Sequence, residues 1–218
     1  MITTLSRRNY FLLSPFADSF IASMQHSYAA GLDETDKLDR KVLQERFDHR
    51  QPFVQPAMAI DGHCVIALPA TSKREYNIRL PIQLTELLTR LHCTQVSLLD
   101  FINTDFARFP FENFSKRNRF RRLTAHMERD LVARFAPSLL NEMLPLFLFS
   151  GCYDVPVIFI ISDGPVPLSL RLCDDGNFHF NFLETDRSRI LEAAELSGFA
   201  TGSIELCDAY SVAFLQGG

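Results

Sequence analysis

The soft ligands and bases of this chain are scattered. They are five cysteines, Cys64, Cys93, Cys152, Cys173 and Cys207, and six histidines, His26, His49, His63, His92, His126 and His179. Two of each are adjacent, at His63-Cys64 and His92-Cys93. Tetrahedral zinc needs four converging donors, usually paired at CxxC or HxxxH spacing. Adjacent residues on a strand point to opposite faces, so neither pair converges on one ion. No metal and no cofactor is expected. Cys152, in Ser150-Gly151-Cys152-Tyr153-Asp154, falls between an apolar helix and an apolar strand. A thiol there acts as a nucleophile only if a base lowers its pKa, and spacing places no histidine beside it. A small hydrolase or transferase using Cys152 is the enzyme reading. Ser162-Asp163-Gly164-Pro165 is turn chemistry, because a nucleophile elbow needs GxSxG. The sequence contains no Walker A loop, no GxGxxG after a strand, no HExxH and no EF-hand loop.

The most unusual stretch runs from Asp105 to Arg122, where phenylalanines interleave with arginines. Phe111, Phe114, Arg117, Arg119, Phe120, Arg121 and Arg122 are its candidate partner-binding residues. Arginine and aromatic side chains are common hot spots of protein interfaces. The same set suits single-stranded nucleic acid, with guanidinium groups on phosphates and rings on bases. Two structural readings compete: the phenylalanines dock a connector onto the core, or the arginines pair with acids elsewhere in the chain.

Charge favours such pairing, because it is polarised. Residues 1–134 hold 19 Lys+Arg against 15 Asp+Glu, or +4, and residues 135–218 hold 3 against 11, or −8. A basic front and an acidic back are either complementary halves or two surfaces for different partners. With 47% apolar and 22% charged residues, the chain is neither disordered nor collagen-like. An odd number of widely spaced cysteines argues against a secreted disulfide framework and for a reduced, cytoplasmic protein. Arg7-Arg8 before Phe11-Leu12-Leu13 is loosely like an export signal, but Pro15 and Asp18 interrupt it. The nineteen residues from Met143 to Ile161 carry one charge, Asp154, yet Pro145, Gly151 and Pro156 break them. They read as a helix, a turn and a strand, not as a membrane span.

The elements that would position these residues follow from periodicity. Ser14-Pro15 opens a helix that Gly31 ends. Residues 33–50 form a charged amphipathic helix with Leu38, Val42, Leu43 and Phe47 on its stripe. Ala57–Ile60 and His63–Leu68 read as a hairpin about Asp61-Gly62. Tyr76–Leu80 is expected as a strand, and Pro81 as the start of a helix carrying Leu84, Leu87, Leu88 and Leu91. Gln95–Phe101 is a strand. Residues 102–120 look irregular. Arg121–Phe135 is expected to be helical through Leu123, Met127, Leu131 and Phe135, and Leu139–Phe149 as a second, apolar helix. Val155–Ile161, Leu168–Cys173 and Asn177–Leu183 read as antiparallel strands, with Phe178, Phe180 and Phe182 on one face. A last helix runs from Thr185 to Gly198, and Ile204–Cys207 and Ser211–Leu215 are expected as closing strands.

This order predicts an α+β fold of two similar subdomains, each with two helices, three antiparallel strands, a helix and a strand. They are residues 1–104 and 121–218, joined by a Phe/Arg-rich connector at 105–120. Val96-Ser97-Leu98-Leu99-Asp100 matches Ile204-Glu205-Leu206-Cys207-Asp208 in pattern, which suggests an internal duplication. The leading functional expectation is a non-catalytic cytoplasmic protein that holds or neutralises a protein partner, of the immunity-protein, antitoxin or secretion-chaperone type. The Cys152 enzyme and a single-stranded nucleic-acid binder through residues 106–122 are the alternatives. No membrane partner is expected.

Overall fold

A computed structural model of the chain describes residues 1–33, 35–48, 57–102, 111, 113–124, 130–148, 158–173 and 176–209. In chain order the elements are β1 (Thr3–Ser6), α1 (Arg7–Leu13), α2 (Pro15–Ala29), α3 (Lys37–Arg46), β2 (Gly62–Ala67), α4 (Lys73–Arg90), β3 (Val96–Asp100) and α5 (Phe114–Leu123). There follow β4 (Leu131–Phe135), α6 (Leu140–Phe147), β5 (Ile158–Ser162), β6 (Leu168–Leu172), β7 (Phe178–Phe182), α7 (Arg187–Leu196), β8 (Ala200–Gly202) and α8 (Glu205–Ala209). The protein is therefore mixed helix and strand, as expected.

The eight strands among the described residues join one sheet, in the order β1-β4-β3-β5-β6-β7-β2-β8, and every neighbouring pair is antiparallel. Strands expected in two separate sheets thus share one, and the β5–β6–β7 meander lies between β3 and β2. One face packs under α4, α6 and α7 and buries Cys64, Ile66, Val96, Leu98, Leu168, Leu170, Phe178, Phe180 and Phe182. On the other face α1 and α2 cover Leu99, Val132, Phe159 and Ile161 with Tyr10, Phe16, Phe20 and Ile21. Alternation along each strand feeds both layers, because side chains two residues apart share a face.

Four expectations change. Tyr76–Leu80 is helical. Ser72 caps α4 by accepting from the Glu75 amide at 3.2 Å, and Glu75 in turn accepts from the Thr71 amide at 2.9 Å. Tyr76, Leu80, Leu84, Leu87 and Leu88 then form one buried stripe, which runs straight through Pro81. A mid-helix proline costs about 3 kcal/mol; five large buried side chains, each contributing about 1.5–3 kcal/mol, outweigh it.

The helix expected at Arg121–Phe135 is replaced by α5, which stops at Leu123 with Thr124 as its cap, and by β4. Pairing with β1 on one side and β3 on the other overrides the helical spacing of Leu123, Leu131 and Phe135. Met127 lies outside the described residues. No hairpin forms about Asp61-Gly62, since residues 57–60 are irregular and β2 pairs with β7 and β8 instead. Glycine is required at position 62 for a different reason: a Cβ there would run into the ring of Phe182, its cross-strand partner.

Finally, of the expected strand Ile204–Cys207, Ile204 is a turn residue and Glu205–Cys207 belong to α8. The segment that resembles β3 in sequence is therefore helical, and the proposed duplication gains no support from it. The expected strand at Ser211–Leu215 lies outside the described residues. No helix among the described residues is long and apolar enough to cross a membrane.

Candidate functional site

The segment expected to be an irregular connector contains α5, capped by the Asn113 side chain, which accepts from the Lys116 amide at 2.9 Å. Its ten residues include Lys116, Arg117, Arg119, Arg121 and Arg122 and no acid. Phe120 is the anchor. It is buried against Phe111, with ring centroids 5.1 Å apart, and meets Phe147 of α6 edge-on at 5.7 Å. Helix phase then sorts the other side chains. At about 100° per residue, Arg122 lies about 160° from Phe120, Phe114 about 120° and Arg119 about 100°, so the three spread over about 140° of the outward side. All three are exposed, Phe114 at 72%. Arg117, about 60° from the anchor, and Arg121, about 100° from it on the other side from Arg119, are half-buried, and the Lys116 ammonium donates to the Leu148 carbonyl at 3.0 Å.

The sequence-predicted site residues are thus divided. Phe111 and Phe120 are core residues that fasten the helix and are withdrawn from any contact face. Phe114, Arg119 and Arg122 are each exposed on the outward side of the helix. One arginine does reach the acidic back half, since Arg119 stands 3.7 Å from Glu142 with both side chains about half exposed. Exposed pairs of that kind contribute roughly 0–1 kcal/mol, so this contact does not lock the helix. Cys152, Phe106, Arg108 and Phe109 lie outside the described residues.

A second polar group sits on the sheet. In the β6–β7–β2 region, the face that elsewhere packs under α1 and α2 carries Ser169, Arg171, His179, Asn181 and His63 beside the buried Val65. Cross-strand register sets Gly202, Val65, His179 and Arg171 in one row. α8 turns back over Gly202 with Leu206 close above, and Cys207 reaches His179. The Cys207 Sγ is 3.3 Å from His179 Nε2 and 4.0 Å from Cys173 Sγ, while His179 Nδ1 faces His63 Nε2 at 3.4 Å. Burial, then the nearby Arg171 and His63 charges, hold the His179 imidazole down at about 4. Burial, Arg171 and Arg187 also lower His63. Cys64, next to His63 in sequence, points into the opposite core, where burial pushes its thiol up to about 12.

Sequence reasoning did not find this cluster. Alternation along Asn177–Leu183 does place His179 opposite the three phenylalanines. The convergence of Cys173 and Cys207 on it depends on the fold of α8, which the sequence pattern misassigns.

Two further buried polar groups act as clamps. Arg7 makes a bidentate pair with Asp48, at 2.7 and 2.9 Å, and donates to the Asp100 carbonyl at 2.9 Å, with Gln25 bridging Asp48 and the Phe101 carbonyl. Asp163 accepts from Tyr10, Ser14 and Ser97, tying α1 and α2 to the sheet. Each carboxylate is engaged by several donors, an arrangement suited to holding elements together. Comparison of the chain with protein families, with curated proteins and with solved structures finds no match.

Proposed function

We propose that this chain is a non-catalytic protein-binding protein whose contact face is the outward side of α5. The observation that carries the reading is the sorting of side chains about Phe120. One aromatic and two arginines stand exposed on the outward side of a helix without acids, while the inward ring fixes that helix to the core. An exposed aromatic and exposed guanidinium groups on one helix are interface hot-spot chemistry, and their charge selects an acidic surface. The partner is accordingly an acidic protein, held in the manner of an immunity protein, an antitoxin or a secretion chaperone. The cytoplasm is the compartment in which the thiols of Cys64, Cys93, Cys173 and Cys207 stay reduced.

Single-stranded nucleic acid would meet the same arginines, but it is held by a succession of stacking rings. On α5 only Phe114 is available for stacking, because Phe120 is buried. That difference favours protein.

A photo-crosslinking side chain placed at position 114, with position 38 as an equally exposed control on α3, tests the proposal in the cell of origin. The expected result is a discrete adduct with an acidic protein from position 114 and none from 38. A nuclease-sensitive adduct, or the same adducts from both positions, would overturn it.

A further inference from the structure

We propose that Cys173, His179 and Cys207 form a binding site for one zinc-class divalent ion, with two thiolates and the His179 Nε2 as ligands and His63 as the positioning residue. The three donor atoms all lie within 4.8 Å of one another. Tetrahedral zinc, with bonds of about 2.3 Å to sulfur and 2.0–2.1 Å to nitrogen, sets sulfur–sulfur edges of about 3.8 Å and sulfur–nitrogen edges of about 3.5 Å. The measured edges of 4.0 Å between Cys173 and Cys207 and 3.3 Å between Cys207 and His179 match that tetrahedron closely. The remaining edge closes by about 1.3 Å at most, within reach of side-chain rotation.

Backbone and neighbours hold each donor in place. Cys173 sits at the end of β6, where its amide donates to the Asn177 carbonyl at 2.9 Å and its carbonyl accepts from Gly176 at 3.0 Å. The Tyr76 hydroxyl donates to the Gly176 carbonyl and so pins that turn to α4. His179 is on the inner strand β7, between β6 and β2. Cys207 is brought in by α8. His63 Nε2 lies 3.4 Å from the other ring nitrogen of His179, the position from which an outer partner fixes the orientation of a ligating imidazole.

A soft donor set of two sulfurs and one nitrogen selects zinc-class ions over magnesium or calcium. The fourth position falls to water or an added donor. Loading displaces the thiol protons to solvent, so two protons leave as two metal–sulfur bonds form. A thiol nucleophile with His179 as base would use the same Cys207–His179 pair, but it would have no use for Cys173 at 4.0 Å. Cys207 is also only 6% exposed, which suits an enclosed ligand better than a group that must meet substrate.

The test is cobalt(II) titration of the reduced, metal-stripped full chain. One equivalent should bind, with intense visible bands of tetrahedral cobalt and a near-ultraviolet sulfur-to-cobalt band, and zinc should displace it. Cys173→Ser and Cys207→Ser should each abolish the sulfur band, whereas Cys64→Ser should leave it intact. His63→Ala should keep one equivalent but weaken binding roughly 10–100-fold, the usual effect of losing an outer-sphere partner. If the serine variants fail to fold, the wild-type chain still decides: zinc should protect Cys173 and Cys207 together from iodoacetamide, and chelator should remove the protection. No stoichiometric cobalt binding by the reduced wild-type chain would overturn the proposal. So would selective alkylation of Cys207 that zinc does not change.

Discussion

Replacing Phe120 with alanine separates the two sides of α5. Phe120 is 1% exposed and packs against the rings of Phe111 and Phe147. Truncating a phenylalanine in such a core removes its transfer free energy and leaves a cavity, about 3–5 kcal/mol together. The two ring contacts lie within that sum, at roughly 0.5–1.5 kcal/mol each. A domain of ordinary stability, about 5–15 kcal/mol, stays folded but becomes marginal. Arg119→Ala combined with Arg122→Ala should cost less than about 1 kcal/mol, because the Arg119–Glu142 pair is half exposed at 3.7 Å. Urea unfolding of the full chain, read at constant slope, measures both. A Phe120→Ala cost below about 1 kcal/mol would refute the anchoring role. A double-arginine cost as large as that of Phe120→Ala would show that the arginines are an internal clamp, with no contact face.

Three other perturbations probe the frame that carries the site. Gly62→Ala should destabilise by about 1–3 kcal/mol in the same assay, because the new methyl meets the Phe182 ring inside a packed core. Arg7→Met should cost about 3–5 kcal/mol by removing the cation from between Asp48 and Asp100, and a loss under 1 kcal/mol would mean that Asp48 simply turns to solvent. Hydrogen bonds from the Thr71 amide and hydroxyl, then Arg79, lower the Glu75 carboxyl from 4.5 to about 2. Its contribution is complete above pH 4.5 and fades as pH falls towards 2. The melting-temperature advantage of wild type over Glu75→Gln should therefore shrink over that acid range, and a gap that widened there would contradict the assignment.

The parts of the fold written in local pattern were legible in the sequence. The β5–β6–β7 meander follows from the alternation of Phe178, Phe180 and Phe182, all of which are buried. The start of α2 follows from Ser14-Pro15, where the Ser14 hydroxyl does accept from the Ala17 amide. Less legible were the elements whose form is set by partners remote in sequence. β4 is a strand because β1 and β3 flank it, and α8 packs back against β8 and against β2, which is remote from it in sequence. At Tyr76–Leu80 the capping signal lay upstream at Ser72, while Pro81 pointed to a later start. In α5 the basic composition was plain, but the division between Phe120 inside and Phe114 outside needed a helix phase, and hence the knowledge that the segment is helical. The Cys173–His179–Cys207 cluster combines three elements and leaves no spacing motif.

Charge reversal tests most directly the claim that the outward face of α5 holds an acidic protein. Wild-type and Arg119→Glu/Arg122→Glu chains would be purified from the cell of origin after nuclease treatment, and the co-purifying proteins quantified. An acidic protein should be bound to wild type and reduced at least about tenfold with the variant, a loss of about 1.4 kcal/mol in binding, at an unchanged melting temperature. Equal recovery with both chains, or bound material that the nuclease removes, would contradict it.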